Sequence, residues 1–270
     1  MSRIEQCFGQ LKADGRKALV VYLVAGDPEP AVTVPLMHAM VAAGANIIEL
    51  GLPFSDPEAE GPVIQLAHER ALKHNVSLRD TLAMARTFRE TDQTTPIVLM
   101  GYINPIEAMG YDVFGQLAGD AGIDGTILVN VPPEEGELLD QSLAANKIDP
   151  VYLLSPTTTD ARARMLCEKT RGFAYYVSLK GTTGASTLDV DSVRDRMSTF
   201  REFARTPIVV GFGIKDGESA ASIAAVSDGA VVGSALVSLM AEHADDKPRM
   251  MQAVQHLIGE MRTAMDAEAV

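Results

Sequence analysis

Eight short apolar, β-branched runs, separated by stretches of helical spacing, constrain the fold of this chain more than any other feature. The runs occupy residues 18–24, 46–50, 96–100, 125–129, 150–154, 173–178, 207–210 and 229–232. Each is apolar at nearly every position, the pattern of parallel strands covered on both faces. Helical material fills the gaps at 35–43, 62–73, 77–89, 113–121, 133–145, 159–168, 188–203 and 216–226. A last helix is expected over 248–265, where Met251, Val254, Ile258 and Met261 recur at helical spacing. Ahead of the first run, Ile4, Phe8 and Leu11 share one face of an N-terminal helix. Eight strand–helix units in about 250 residues fit an α/β fold of the (β/α)8 TIM-barrel type. A doubly wound open sheet competes, but its usual Gly-rich dinucleotide turn is replaced after the first strand by VAGDPEP. The reading is one (β/α)8 barrel domain over residues 1–270 with an extra N-terminal helix.

Composition narrows the function classes. With 47% hydrophobic residues in 270, a large core is available. The formal net charge of -13 repels nucleic acid and anionic membranes, and no basic cluster overrides it. No run approaches the roughly twenty apolar residues of a membrane span, and the polar, helix-patterned start has no apolar signal core. A cytoplasmic location is expected. Cys7 and Cys167 are too few for a disulfide framework and read as small apolar residues. His38, His68, His74, His243 and His256 lack paired ligand spacing at strand ends and read as helix-surface residues, so no metal site is expected. The methionines at positions such as 37, 40, 84, 250 and 251 lie on helical stretches and read as packing.

In a (β/α)8 barrel the chemistry gathers at the carboxyl ends of the strands. The stretch NIIELGLPFSDPEAEGPVIQ, residues 46–65, supplies it there. Glu49 sits inside the end of an apolar strand, where a charge is expensive, so it is either paired or employed. The turn formers that follow make a loop carrying Asp56, Glu58 and Glu60. Two carboxyl groups in unlike environments can have their pKa values pushed apart, one accepting a proton while the other donates. Asp27, before Pro28, and Asp160 read as ordinary turn and cap residues.

Three late loops, SLKGTTGAS, GFGIKDG and GSALV, place glycine and small hydroxyl residues at successive strand ends. Backbone N–H groups in such loops cradle phosphate, and barrels often do this after strands seven and eight. Gly213, Gly233 and Ser234 are the candidate ligands, with Gly184 of the sixth loop closing over them. Tyr22, Met100, Ile127, Tyr175 and Phe212 are phased to line the barrel top around Glu49, either as an apolar slot for a flat ligand or as barrel core. The sequence leaves both readings open.

With these residues in view, the chain resembles the tryptophan synthase alpha subunit family. The matching pieces are AGDPEP, IIELGLPFSDP with GPVIQ, GYINPI, VNVPPEE, SPTTTD, YYVSLKGTTGAS, VVGFGIKD and VVGSALV, spread over nearly the whole chain. The resemblance implies an aldolase-type lyase that splits indole-3-glycerol phosphate into indole and glyceraldehyde 3-phosphate in tryptophan biosynthesis. It implies no cofactor in this chain, and a pyridoxal-phosphate-dependent beta subunit that receives indole through a tunnel in an α2β2 heterotetramer. Residue by residue, it gives Glu49 as the acid/base, Glu60 as the second acid on the indole N–H, and Tyr175 as the residue that positions Glu60. Thr183 falls in the closing loop, and Gly184, Gly213, Gly233 and Ser234 at the phosphate. The chain departs from the family pattern at Glu60, where Asp is usual, at Glu58, where an apolar residue is usual, at Asn130, where Asp is common, and at Leu179 and Lys180. Two other readings follow: a different phosphate-binding barrel, and an impaired alpha-like subunit that only activates its beta partner. An indole-glycerol-phosphate synthase would carry a catalytic lysine within its strands, and these strands contain none.

Overall fold

The computed structural model describes residues 1–178, 190–211 and 213–267. Nine strand segments form one all-parallel sheet: β1 (Ala18–Val24), β2 (Ile47–Gly51), β3 (Ile97–Gly101), β4 (Gly125–Leu128), β5 (Asp149–Pro150), β6 (Leu153–Leu154), β7 (Ala174–Val177), β8 (Ile208–Gly211) and β9 (Gly229–Val232). Their order is β5-β4-β3-β2-β1-β9-β8-β7-β6. The two ends are consecutive in the chain. β5 pairs with β4 and β6 with β7, so the fifth expected strand, 150–154, is present as two pieces that bond to opposite neighbours and close the ring. Pro150 lacks an N–H, which interrupts the ladder there. The Val151 N–H still reaches Thr126 O at 2.9 Å, while Tyr152 O accepts from Tyr175 N–H at 3.2 Å.

Alternation explains the uninterrupted apolar runs. In β1, Leu19, Val21 and Leu23 face the helices, while Ala18 and Val20 face the barrel interior. All seven residues of that strand are buried. The outer layer comprises α2 (Pro30–Ala42), α3 (Pro62–Lys73), α4 (Leu78–Arg89), α5 (Ile103–Met109), α6 (Tyr111–Ala121), α7 (Glu137–Ala145), α8 (Asp160–Lys169), α9 (Val190–Arg201), α10 (Gly217–Val226), α11 (Ser234–Glu242) and α12 (Lys247–Ala267). Two of these, α5 after β3 and α11 after β9, lie where the apolar spacing gave no helix. α2 was expected but begins five residues earlier, with Pro30 in its first turn, where a missing N–H costs nothing.

The N-terminal helix α1 (Arg3–Ala13) plugs one end of the barrel. Its Ile4, Phe8 and Leu11 pack on inward residues of the strands, among them Val20, Val98, Val151 and Val209, and Phe8 lies 5.9 Å from the Phe173 ring. Burying each such side chain contributes about 2 kcal/mol. Polar ties fix the plug. Ser2 caps α1 and donates to Asp149 Oδ2 at 2.8 Å. Asp124, at the start of β4, accepts from Arg3 at 2.8 Å and from the buried Arg89 at 2.7 Å. This end carries the amino termini of the strands, so ligand access falls at the opposite, carboxyl end.

Among the described residues, no helix is long and apolar enough to cross a membrane.

Candidate active site

Glu49 occupies an inward position of β2, opposite Tyr22 of β1 and Val98 of β3. It is 2% exposed, and among the described residues its Oε2 has no hydrogen-bond partner. Burial, reinforced by the negative charge of Glu60, pushes its carboxyl up to about 8. A carboxylic acid that is still protonated near neutral pH, but can ionise there, has the property an acid/base catalyst needs.

The loop after β2, residues 52–61, brings the second acid to the first. Glu60 is half-buried, whereas Asp56 and Glu58 are exposed. The Tyr102 hydroxyl donates to Glu60 Oε2 and accepts from the Ala59 N–H at 2.9 Å. Gln65, in the first turn of α3, donates to the Glu60 carbonyl at 2.9 Å. Burial raises the Glu60 pKa, and the Tyr102 hydrogen bond opposes that rise by favouring the carboxylate. The hydroxyl on the second acid is therefore that of Tyr102, one residue beyond β3, and not that of Tyr175. Tyr175 lies on β7, and its hydroxyl feels the charge of Glu49.

Both inward tyrosines of the mouth need glycine across from them. A Cβ on Gly51 would lie 2.4 Å from the Tyr22 hydroxyl, and one on Gly211 would lie 2.1 Å from that of Tyr175. No side chain other than hydrogen allows these approaches. Tyr22 packs with Val24, Ala67, Ala71 and Val237, and with the half-buried Val63, Ile64 and Met100, in a cluster above the barrel core. Ile127, in contrast, is fully buried in the interior cluster with the α1 plug, so its position is core. Ile64 was not singled out in the sequence, although it lies in the first turn of α3 and meets both Tyr22 and Gly233.

The candidate phosphate residues lie beyond β8 and β9, on the other side of β1 from β2. Gly213 is exposed just beyond β8, and Gly233 and Ser234 stand at the start of α11, beyond β9. Gly233 is the N-cap of α11 and supplies no side-chain cap, so the N–H groups of the first turn are open to an anion. The β8–β9 pairing, Gly211 opposite Val231, sets these two loops side by side. Thr183, Gly184 and Phe212, and the departures at Leu179 and Lys180, lie outside the described residues.

Two other expectations are corrected. His68 is not a helix-surface residue; it is 1% exposed on the inner face of α3. Ile64, Ala67, His68 and Ala71 recur at helical spacing, and that signal places the imidazole on the buried stripe. Asp27 is more than a turn residue. It is fully buried, and both its carboxylate oxygens accept from Arg70 of α3, at 2.6 and 3.0 Å. Its partner lies 43 residues away, and no local pattern reveals the pair. Asn130 accepts from the Ile103 N–H at 2.9 Å and donates to Asn104 at 3.1 Å, tying the loop after β4 to α5.

General acid–base chemistry at the mouth of a (β/α)8 barrel is the class of activity this arrangement defines. The model of the family described as "Tryptophan synthase alpha chain" matches residues 8–266. The tryptophan synthase alpha chain of Thioalkalivibrio sulfidiphilus is 56% identical over 266 residues, covering 98% of this chain and 100% of the relative. That of Marinobacter nauticus is 53% identical over 269 residues, with both chains fully covered. The crystal structure of tryptophan synthase subunit alpha from Legionella pneumophila superposes with a TM-score of 0.93 at 44% identity, covering 99% of each chain. The chain belongs to the tryptophan synthase alpha chain family of lyases.

Proposed function

We propose that Glu49 and Glu60 are the acid/base pair with which this lyase cleaves indole-3-glycerol phosphate to indole and glyceraldehyde 3-phosphate, the alpha reaction of tryptophan synthase. The observation that carries the proposal is the buried Glu49 carboxyl, with its Oε2 unpartnered among the described residues, raised to about 8 by burial and the negative charge of Glu60. Its protonated form gives a proton to C3 of the indole ring, and the positive charge that develops at the ring nitrogen is met by the Glu60 carboxylate. The Glu49 carboxylate so formed then takes the proton of the glycerol hydroxyl. That oxygen becomes the aldehyde carbonyl, the carbon–carbon bond breaks, and its electron pair restores the aromatic ring. One proton moves from hydroxyl to carbon, and Glu49 ends as it began.

Tyr22, Ile64 and Met100 supply an apolar wall for the indole, with Tyr175 beside Glu49. The backbone amides at Gly213, Gly233 and Ser234 hold the phosphate; the resemblance adds Gly184 to that role, and Thr183 and Phe212 are assigned to substrate binding. The extra loop acids give no support to an impaired, purely activating subunit, because Glu58 is exposed and Glu60 is hydrogen-bonded in the cluster. Family membership implies a beta-subunit partner. An α2β2 assembly, an indole tunnel and pyridoxal phosphate in that partner belong to the same proposal, as does a cytoplasmic location.

Glu49→Gln keeps shape and removes the titrating group. Indole release, measured with beta subunit present, should fall at least about a thousandfold while binding of a glycerol-phosphate analogue is unchanged, as expected when an interaction made only in the transition state is lost. Retained turnover would reject the assignment.

A further inference from the structure

His68 is a buried titratable group beside the site that this acid–base scheme leaves unused. Its Nδ1 lies 3.0 Å from the Phe54 backbone nitrogen, and its Nε2 lies 3.5 Å from the Tyr22 hydroxyl. A backbone N–H only donates, so Nδ1 is an acceptor, and the neutral ring carries its proton on Nε2, directed at the Tyr22 oxygen. Burial pushes the imidazole down to about 4, which keeps the acceptor available throughout the neutral range.

The bond matters because of what Phe54 touches. Its ring stacks on Tyr102 with centroids 4.9 Å apart and planes 22° from parallel. Tyr102 in turn holds Glu60 and the Ala59 N–H. The loop 52–61 contains no strand or helix, so apart from the Leu52 N–H, which continues the ladder to Met100 O at 2.8 Å, it lacks a sheet to hold it. A single imidazole on α3 therefore fixes the amide near the start of the loop, and a stacked ring pair carries that constraint to the acid near its end.

We propose that His68 is a positioning residue, whose neutral imidazole pins the Phe54 amide and, through the Phe54–Tyr102 stack, holds the Glu60 carboxylate opposite Glu49. This rests on the reading of Glu60 as the second acid. If His68 merely filled space, an apolar side chain of similar size would replace it without kinetic effect.

Three replacements separate the roles. His68→Asn offers an amide oxygen near the place of Nδ1, His68→Gln reaches the place of Nε2 instead, and His68→Leu fills the space without an acceptor. Each is assayed for indole release from indole-3-glycerol phosphate with beta subunit present, beside Glu60→Gln and Tyr102→Phe. His68→Leu and His68→Gln should lose on the order of ten- to a hundredfold in kcat, the scale of a misplacement of about 1 Å, with KM within about threefold of the parent. His68→Asn should recover most of that loss. Adding His68→Leu to Tyr102→Phe should cost less than about threefold more, since both act through one chain of contacts. Parental kcat in His68→Leu beside a slow Glu60→Gln would overturn the role of His68 alone, and parental kcat in Glu60→Gln would reject the reading of the second acid. Should His68→Leu fail to fold, equal rates for the Asn and Gln variants would overturn the proposal.

Discussion

Burial of Glu49 makes the stability of this protein depend on pH in a direction opposite to that of a salt-bridged acid. With the carboxyl at about 8 in the fold and 4.5 as its ordinary value, the native state holds a proton that the unfolded chain has lost across that window. Stability from this group is complete below the lower value and is lost as pH rises toward the upper one. At about 1.4 kcal/mol per pH unit, the loss reaches about 3 kcal/mol by pH 7 and levels off near 5 kcal/mol above pH 8. Glu49 is 2% exposed, so solvent screening does little to reduce it. Glu49→Gln removes the titration. Its amide adds an offset, but one that does not vary with pH, so the informative quantity is the variant-minus-parent difference as a function of pH. The repulsion from Glu60 is already contained in the raised value of about 8, so it is part of this difference and not an addition to it. The chain has no tryptophan, so urea unfolding is followed by far-UV circular dichroism at pH 5, 6, 7 and 8. The difference should grow in favour of Glu49→Gln by about 2–4 kcal/mol from pH 5 to pH 8. A difference that stays flat would show that Glu49 ionises at its ordinary value, and would remove the physical basis for its acid/base role.

Gly211→Ala would place a methyl 2.1 Å from the Tyr175 hydroxyl, so the ring must swing off β8. Thermal denaturation should show a loss of about 1–3 kcal/mol, and indole release should fall with it. Arg70→Met leaves the Asp27 carboxylate fully buried without its partner. Because Arg70 keeps some solvent contact, a loss of about 2–4 kcal/mol is expected in chemical unfolding at pH 7, shrinking at lower pH as Asp27, whose pKa is already raised by burial, takes up a proton. Glu60→Asp draws the carboxylate back by one methylene, about 1.5 Å, from the Tyr102 hydroxyl that now holds it. Although Asp is the family's usual residue, the rate of indole release should not exceed the parent's, and a variant many times faster would show that the loop here is not built around Glu60.

What was legible in the sequence divides along a physical line. A barrel strand is buried on both faces, so its composition alone locates it, and a charge inside it stands out; Glu49 was found for that reason. The hydroxyl on Glu60 was not legible: the resemblance gives Tyr175 that place, whereas Tyr102 holds it. A tyrosine's reach across the mouth depends on which strands are adjacent and on the glycine it faces, here Gly211 for Tyr175. The split of β5 from β6 was hidden because Pro150 lies within an apolar run that reads as one strand. Loop-holding contacts are harder still, since their partners lie far along the chain. Asp27 pairs with Arg70 across 43 residues, Tyr102 meets Glu60 across 42, and Tyr22 approaches His68 across 46. Each pair joins the ends of neighbouring strands, or a strand or strand end and the helix of the next unit, so the side-by-side packing of successive strand–helix units creates the contact. The fold therefore presents Glu49 on a rigid strand, whereas Glu60 depends on Tyr102, Gln65 and the Phe54 stack. Substitutions among those supports should shift the second acid while leaving the first in place, so kcat is more sensitive to them than the buried core is.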